Sequence, residues 1–345
     1  MLALLTSASQ ARAPSDFVGM TSDDVLSAAG SYQNEALARQ HAAGVRLIRQ
    51  TFNWSWIEYA PGRYDFGRYD SYVAQTAAHG IRVLPVLFSP PTWRRRVNGR
   101  TACPPWHLSD MAAFARMLVQ RYGSNGLLWR LRPDLPKLPI RSWQIWNEPN
   151  LKLYWCGRQN ARQYVSMLRV VGRAIKRADP KAEIVSAGLP NSKLQTAVPL
   201  GRYLRQLYRH HARRWFDTLA INSYAKDRRE LGTLLRSIRR TMNRRRDRRA
   251  RIWLTELGWG DVGPPHRFIV GSSGQASRIR TAFSYIGKHR KRLRLRGVVY
   301  YSWRDLAPYP PIYRDMWGLH TGLLRQDGSP KPAYNAFVRA VGSLR

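Results

Sequence analysis

The fold this sequence predicts is a single-domain (β/α)8 barrel of the α/β class, the TIM barrel, in which a helix follows each of eight parallel strands. Three observations point to it. Eight short apolar runs alternate with helix-like segments along 345 residues, a length suited to one large barrel. Most runs are nearly continuous in β-branched and aromatic residues, as strands buried on both faces require. No glycine-rich phosphate loop follows the first run, which argues against a doubly wound dinucleotide-binding sheet.

The first strand is expected in "DFVGM" (16–20), the second in "GVRLIRQ" (44–50) and the third in "GIRVLPVLF" (80–88). The second and third are entered through near-repeats, "HAAGVRLI" and "AAHGIRVL", each a helix end, a glycine stop and a strand. A helix follows in "LSDMAAFARMLVQRYG", with Ser109 as its cap, Met111, Phe114, Ala115 and Leu118 on one face and Gly123 at its stop. The fourth strand, "IRSWQIWN" (140–147), runs into Glu148 and Pro149, and the proline forbids its continuation. "NARQYVSMLRVVGRAIKRADP" is a long amphipathic helix ended by Asp179-Pro180. The remaining strands are "AEIVSAG" (182–188), "FDTLAIN" (216–222), "RIWLTEL" (251–257) and "GVVYYSW" (297–303). The barrel is expected to occupy 16–345. Residues 1–15, with a short apolar run and an Ala-x-Ala at 11–13, read as a clipped secretory signal or a flexible end.

The formal net charge is +37, and only nine of the 58 basic residues are lysines. The densest runs, "RRTMNRRRDRRAR" (239–251) and "KHRKRLRLR" (288–296), each precede a strand, so each falls at a helix C-terminus, where cations are favoured. A solvated basic face is the expected reading; a polyanion binder is the alternative, without a specific nucleic-acid partner. No stretch approaches the roughly 18 apolar residues of a membrane span.

In a parallel barrel the strand C-termini and the loops after them build the site. Those ends supply Arg49, Asn147, Glu148, Asn222, Tyr224, Glu256 and Trp303. Two carboxylates on one rim suit glycoside hydrolysis, where one group protonates the leaving oxygen and the other attacks or stabilises the anomeric centre. Arg49 and Tyr224 suit the ionised partner. Clustered histidines and a third acid are lacking from these ends, so neither metal nor other cofactor is expected. Tryptophans in or just after strand-end segments, among them Trp54, Trp56, Trp93, Trp106, Trp155, Trp259 and Trp317, with Tyr309 and Tyr313, suit an open cleft that stacks sugar rings.

"WQIWNEPN", "IWLTELGWG" and "VVYYSWRD" resemble the acid, nucleophile and eighth-strand motifs of the clan A retaining glycoside hydrolases. "VRLIRQTFNWSWIEYAPGRYDFGRYD" and "GIRVLPVLFSPPTW" are similar to family 39 and family 5 members, and "GLLRQDGSPKPAYNAF" resembles their final loop and helix. The likeness spans residues 16 to 340. It implies a secreted enzyme acting on an oligo- or polysaccharide, with Glu148 as acid/base and Glu256 as nucleophile. Asn147 would bind the sugar 2-hydroxyl, Arg49 and Tyr224 would orient Glu256, and Trp303 would form the sugar platform, with Trp259 and Trp93 beside it. Many members carry histidine where this chain has Asn222. A monomer is expected.

Two further expectations concern the rim. Arg94, Arg95, Arg96 and Arg100 on the loop after strand three, with Lys152 and Arg158 on the next, suggest an anionic glycan. Cys103 and Cys156, the only cysteines, lie on those same neighbouring loops and are expected to form a disulfide.

Overall fold

The computed structural model describes residues 12–28, 30–96, 103–308 and 314–345. Eight strands pair in parallel in the order β1 to β8 and close through β8 on β1. They are β1 Val18–Thr21, β2 Leu47–Asn53, β3 Arg82–Phe88, β4 Ser142–Ile145, β5 Glu183–Val185, β6 Thr218–Asn222, β7 Arg251–Leu257 and β8 Leu295–Tyr301. A short extension after β5, Leu189–Pro190, pairs with the end of β6. Eight helices sheath the strands: α1 Gly30–Ala42, α2 Gly67–Ala78, α3 Leu108–Tyr122, α4 Ala161–Ala178, α5 Leu200–Arg209, α6 Arg228–Arg244, α7 Gly271–Leu293 and α8 Pro332–Gly342.

Inside the barrel, Leu47, Leu84, Val185, Ala220, Trp253 and Val299 form a small separate core. Trp253 fits closely beside Gly297, where a Cβ would stand 3.0 Å from its indole nitrogen. Most of the other buried apolar side chains form one continuous core with the helices. Alternation along each strand thus sends one set of side chains inward and the next into the helical layer.

Boundaries differ from expectation in instructive places. α3 starts at Leu108 with His107 at the cap position and no side-chain cap bond, so Ser109 lies inside the first turn. α4 is capped by Asn160, whose side chain accepts from the Gln163 amide. β2 runs on to Asn53, which leaves Arg49 within the strand rather than after it. The ordered chain also reaches back before residue 16, because the Ala13 amide donates to the Leu344 carbonyl at 2.9 Å. Residues 1–11 of the N-terminal segment lie outside the described residues.

Cys103 and Cys156 are joined, with Cα atoms 5.1 Å apart. The bridge ties the β3 and β4 loops together as the topology demands. Among the described residues no helix is long and apolar enough to cross a membrane.

Candidate active site

At the C-terminal end of β4 the backbone turns sharply. Trp146 and Glu148 both take left-handed conformations, with φ of 73° and 48°. Such conformations cost a non-glycine residue of order 1–3 kcal/mol and cluster where function requires them. Here they send Trp146 into the core and lift Asn147 and Glu148 over the barrel. The Glu148 amide donates to the Gly188 carbonyl at 3.1 Å, anchoring the turn to the neighbouring β5 segment. Gly188 also lets Asn222 come close, since a Cβ there would stand 2.3 Å from the Asn222 Oδ1.

Arg49 rises inside the barrel and uses all three arms. Its Nε donates to Gln144 Oε1, its Nη1 to Glu256 Oε1 and its Nη2 to Asn147 Oδ1, each at 2.9 Å. Tyr224 Oη donates to the other Glu256 oxygen at 2.6 Å. Glu256 is therefore gripped from both sides by a cation and a phenol. Burial, with the charge of Glu256 next, holds the Tyr224 hydroxyl well above its usual pKa, so it stays a donor.

Glu148 lives in a different environment. It accepts from Asn222 Nδ2 at 2.6 Å, and Thr255 Oγ1 donates to Asn222 Oδ1 at 2.9 Å, fixing the amide's orientation. Burial, followed by the negative charge of Glu256, pushes the Glu148 carboxyl up to about 8 against the weaker pull of Asn222 and Arg49. Both glutamates are only 8% exposed and open towards the cleft. One carboxyl is thus a neutral acid near pH 7, beside a second held by two donors, the separation of roles that acid–nucleophile chemistry needs.

A third acid stands nearby, contrary to the expectation that the strand ends lack one. Asp23 stands two residues past the end of β1. It is exposed to the cleft, and the protein packed about it raises its carboxyl, with Arg49 opposing and Asp24 and Glu256 adding. It accepts from Gln50 Nε2 at 3.4 Å, and the two border a side pocket of about 370 Å3 that also meets Asn53, Trp56 and Leu306. Its position was readable: reading off the end of strand one as for the other strands would have found it. Gln144 and Thr255 were also missed, and both act on the pair through a neighbour. Among the described residues no three His, Cys, Asp or Glu side chains converge as metal ligands.

Two expected platform residues are elsewhere. Trp303 is 1% exposed and packs outside the barrel against Tyr334 of α8, with the Arg39 guanidinium of α1 over it. β8 ends at Tyr301, so the inward alternation of Val299 carries to Tyr301 and not to 303. Tyr301 is half-buried and its ring meets Tyr224 edge-on at 6.4 Å, which puts it on the cleft side. Trp259 is fully buried, its indole donating to the Ala225 carbonyl at 2.7 Å, and it holds the β6 and β7 loops together instead of facing sugar. Trp54 and Trp155 are likewise buried in aromatic clusters. Trp93 is 42% exposed, and Trp56 and Trp106 are exposed too. Trp317 packs edge-on against Tyr224 and flat on His266. Tyr309 and Tyr313 lie outside the described residues.

The rim arginines are largely engaged within the protein. Arg94 bonds Glu58 at 2.9 Å and Asp110 at 3.1 Å, and buried Arg95 donates to the Pro90 carbonyl at 2.6 Å. Arg96 reaches the Pro105 carbonyl at 3.3 Å. Lys152 and Arg158 are exposed. Arg100 lies outside the described residues.

No protein-family model matches the chain, and no curated protein does. Solved structures do. A family 39 glycoside hydrolase from Bacteroides cellulosilyticus WH2 superposes with a TM-score of 0.69 at 19% identity, over 96% of this chain and 64% of that one. The family 39 enzyme of Xanthomonas axonopodis pv. citri gives 0.71 at 16%, over 94% and 65%. A monomeric β-xylosidase from Caulobacter crescentus CB15 gives 0.71 at 16%, over 95% and 68%. The chain therefore spans about two thirds of the length of these neighbours. At such identities the likeness establishes the fold: a barrel shared with glycoside hydrolases.

Proposed function

We propose that this barrel is a retaining glycosidase that cleaves β-linked O-glycosides of an oligo- or polysaccharide by double displacement. The observation that carries this reading is the asymmetry of the two glutamates. Glu148 keeps its proton because it is buried beside a negative charge, while Glu256 is gripped by Arg49 and Tyr224. In the first step a Glu256 oxygen attacks the anomeric carbon. The bond to the leaving oxygen breaks, and Glu148 gives that oxygen its proton. The resulting glycosyl ester carries no charge on Glu256, which removes one of the two causes raising Glu148. Glu148 therefore stays ionised and serves as the base: it takes a proton from water, the water oxygen attacks the same carbon, and Glu256 is released. Two inversions at one carbon give retention.

Asn147, held by Arg49, is placed to bind the 2-hydroxyl. Tyr301 would wall the reacting ring, and exposed Trp93, Trp56 and Trp106 offer outer stacking faces. The reacting sugar is read as uncharged, because all three arms of Arg49 are engaged, Arg94 is paired with Glu58 and Asp110, and Arg95 is bound to the Pro90 carbonyl. An anionic glycan is then accommodated at outer subsites, where Lys152 and Arg158 stand exposed. The disulfide fits an extracellular monomer.

The test is kinetic and stereochemical. Glu256→Gln should abolish turnover. Glu148→Ala should lose at least a hundredfold on glycosides with poor leaving groups, in line with general acid catalysis of about 10²–10⁴-fold. It should keep glycosylation by activated aryl glycosides and be rescued by azide. Proton NMR should show the first product with the anomeric configuration of the substrate. An inverted first product, or an unrescued Glu148→Ala with every aryl glycoside, would sink the mechanism. Full activity in Glu256→Gln would remove this site altogether.

A further inference from the structure

All loops that lead from a helix into the next strand lie at the end of the barrel opposite the glutamates. The two arginine-dense runs fall there, at the ends of α6 and α7. Three cavities open on this base. The central one, about 510 Å3, is ringed by Arg82, Lys137, Arg141, Lys181, Arg251 and Arg296. A second, about 690 Å3, is lined by Arg213, Arg214, Arg246, Arg248 and Arg249, with Asp247. A third, about 380 Å3, takes Arg12, Arg290, Lys291 and Arg294.

The three carboxylates in these linings are already engaged. Asp16 bonds Arg296 at 2.8 Å, Glu183 bonds Arg251 at 2.7 Å, and Asp247 accepts from Tyr208 at 2.7 Å. Lys137, Arg141, Lys181, Arg214 and Arg248 are exposed and form no ion pair among the described residues. Helix ends do not account for them, since each C-terminus presents only about half a negative charge. At the mouth, by contrast, Arg49, Arg94 and Arg304 are each paired with an acid, Glu256, Glu58 with Asp110, and Asp24.

We infer that the base of the barrel is a second binding surface, for an acidic polysaccharide bearing uronate groups. Guanidinium forks pair bidentately with carboxylates, and unpaired cations spread over several concavities suit a chain that carries one carboxylate on each sugar. A single-stranded nucleic acid would call for exposed aromatic rings to stack bases, and the only aromatic lining these cavities, Phe17, is buried; a duplex, which needs only phosphate contacts, is separated by the test below. A bilayer would call for exposed apolar residues, and none of the exposed large ones lines them. The inference is independent of the chemistry at the mouth.

The test is binding to de-esterified polygalacturonate at low salt, followed by affinity electrophoresis. The variant R141Q/K181Q/R214Q/R248Q changes four exposed side chains. R162Q/R169Q/R202Q/R205Q removes equal charge from the outer faces of α4 and α5. Wild type should be retained, and the base variant should bind about tenfold more weakly or worse, as loss of a focused positive field predicts. The helix variant should lose less than twofold. Equal losses in both variants would show charge without a site and overturn the proposal. So would unretarded wild type, a measurement that needs no variant to fold. Tighter wild-type binding to duplex DNA or to phosphatidylserine vesicles than to the polyuronate would assign the surface to another partner and overturn it as well.

Discussion

Glu148 and Glu256 differ only in their neighbours. Burial and the charge of Glu256 raise Glu148 to about 8, and the form needed first is the protonated one. Its useful state is therefore present below about 8 and lost as pH rises through it. The basic limb of kcat/KM should fall with an apparent pKa near 8. Removing the neighbouring charge with Glu256→Gln should lower the Glu148 titration, read by carbon NMR of labelled glutamate. An unchanged Glu148 in that variant would show that burial alone sets it. Both glutamates were visible in the sequence because a carboxylate at a strand's apolar end has few structural uses. Asn222 was visible as a residue but not as the group that clamps Glu148. Gln144 and Thr255 were invisible, since a contact made through a neighbour leaves no local pattern.

Each of the eight strands stood out as an apolar run between helix signals, and that is why the barrel itself could be read. What could not be read was where each strand stops. β2 continues past Arg49, and β8 stops at Tyr301, so the expected platform at Trp303 turns into the helical layer. Apolar continuity marks a buried strand on both faces alike and does not say which face a tryptophan takes. The link between the β3 and β4 loops was legible from topology alone. Cys103→Ser should lower unfolding stability by up to about 4 kcal/mol on the chain-entropy account, measured by denaturant titration. A fall of the same size on reducing the wild-type protein would confirm its source. No change in either experiment would mean that the bridge does not form in solution.

Across the whole molecule, the last turn before α8 is fastened at the mouth by Lys331, which is buried. Its ammonium bonds Asp261 and Asp305 at 2.6 Å each and the His320 carbonyl at 3.2 Å. The loops after β7 and β8 thus meet at one cation. Lys331→Met would leave two buried carboxylates facing each other without it, and should cost about 3–5 kcal/mol in unfolding free energy. A loss below 1 kcal/mol would mean the acids take up protons or water at little cost.

The unpaired cations of the base and the two glutamates of the mouth lie at opposite ends of one barrel. A polyanionic matrix held at the base, as inferred above, would therefore fix the orientation of the barrel as well as its position. Lodged that way, the open end would point outward, and under the proposed function the hunt for a scissile bond would become a walk over a surface in place of a search through a volume.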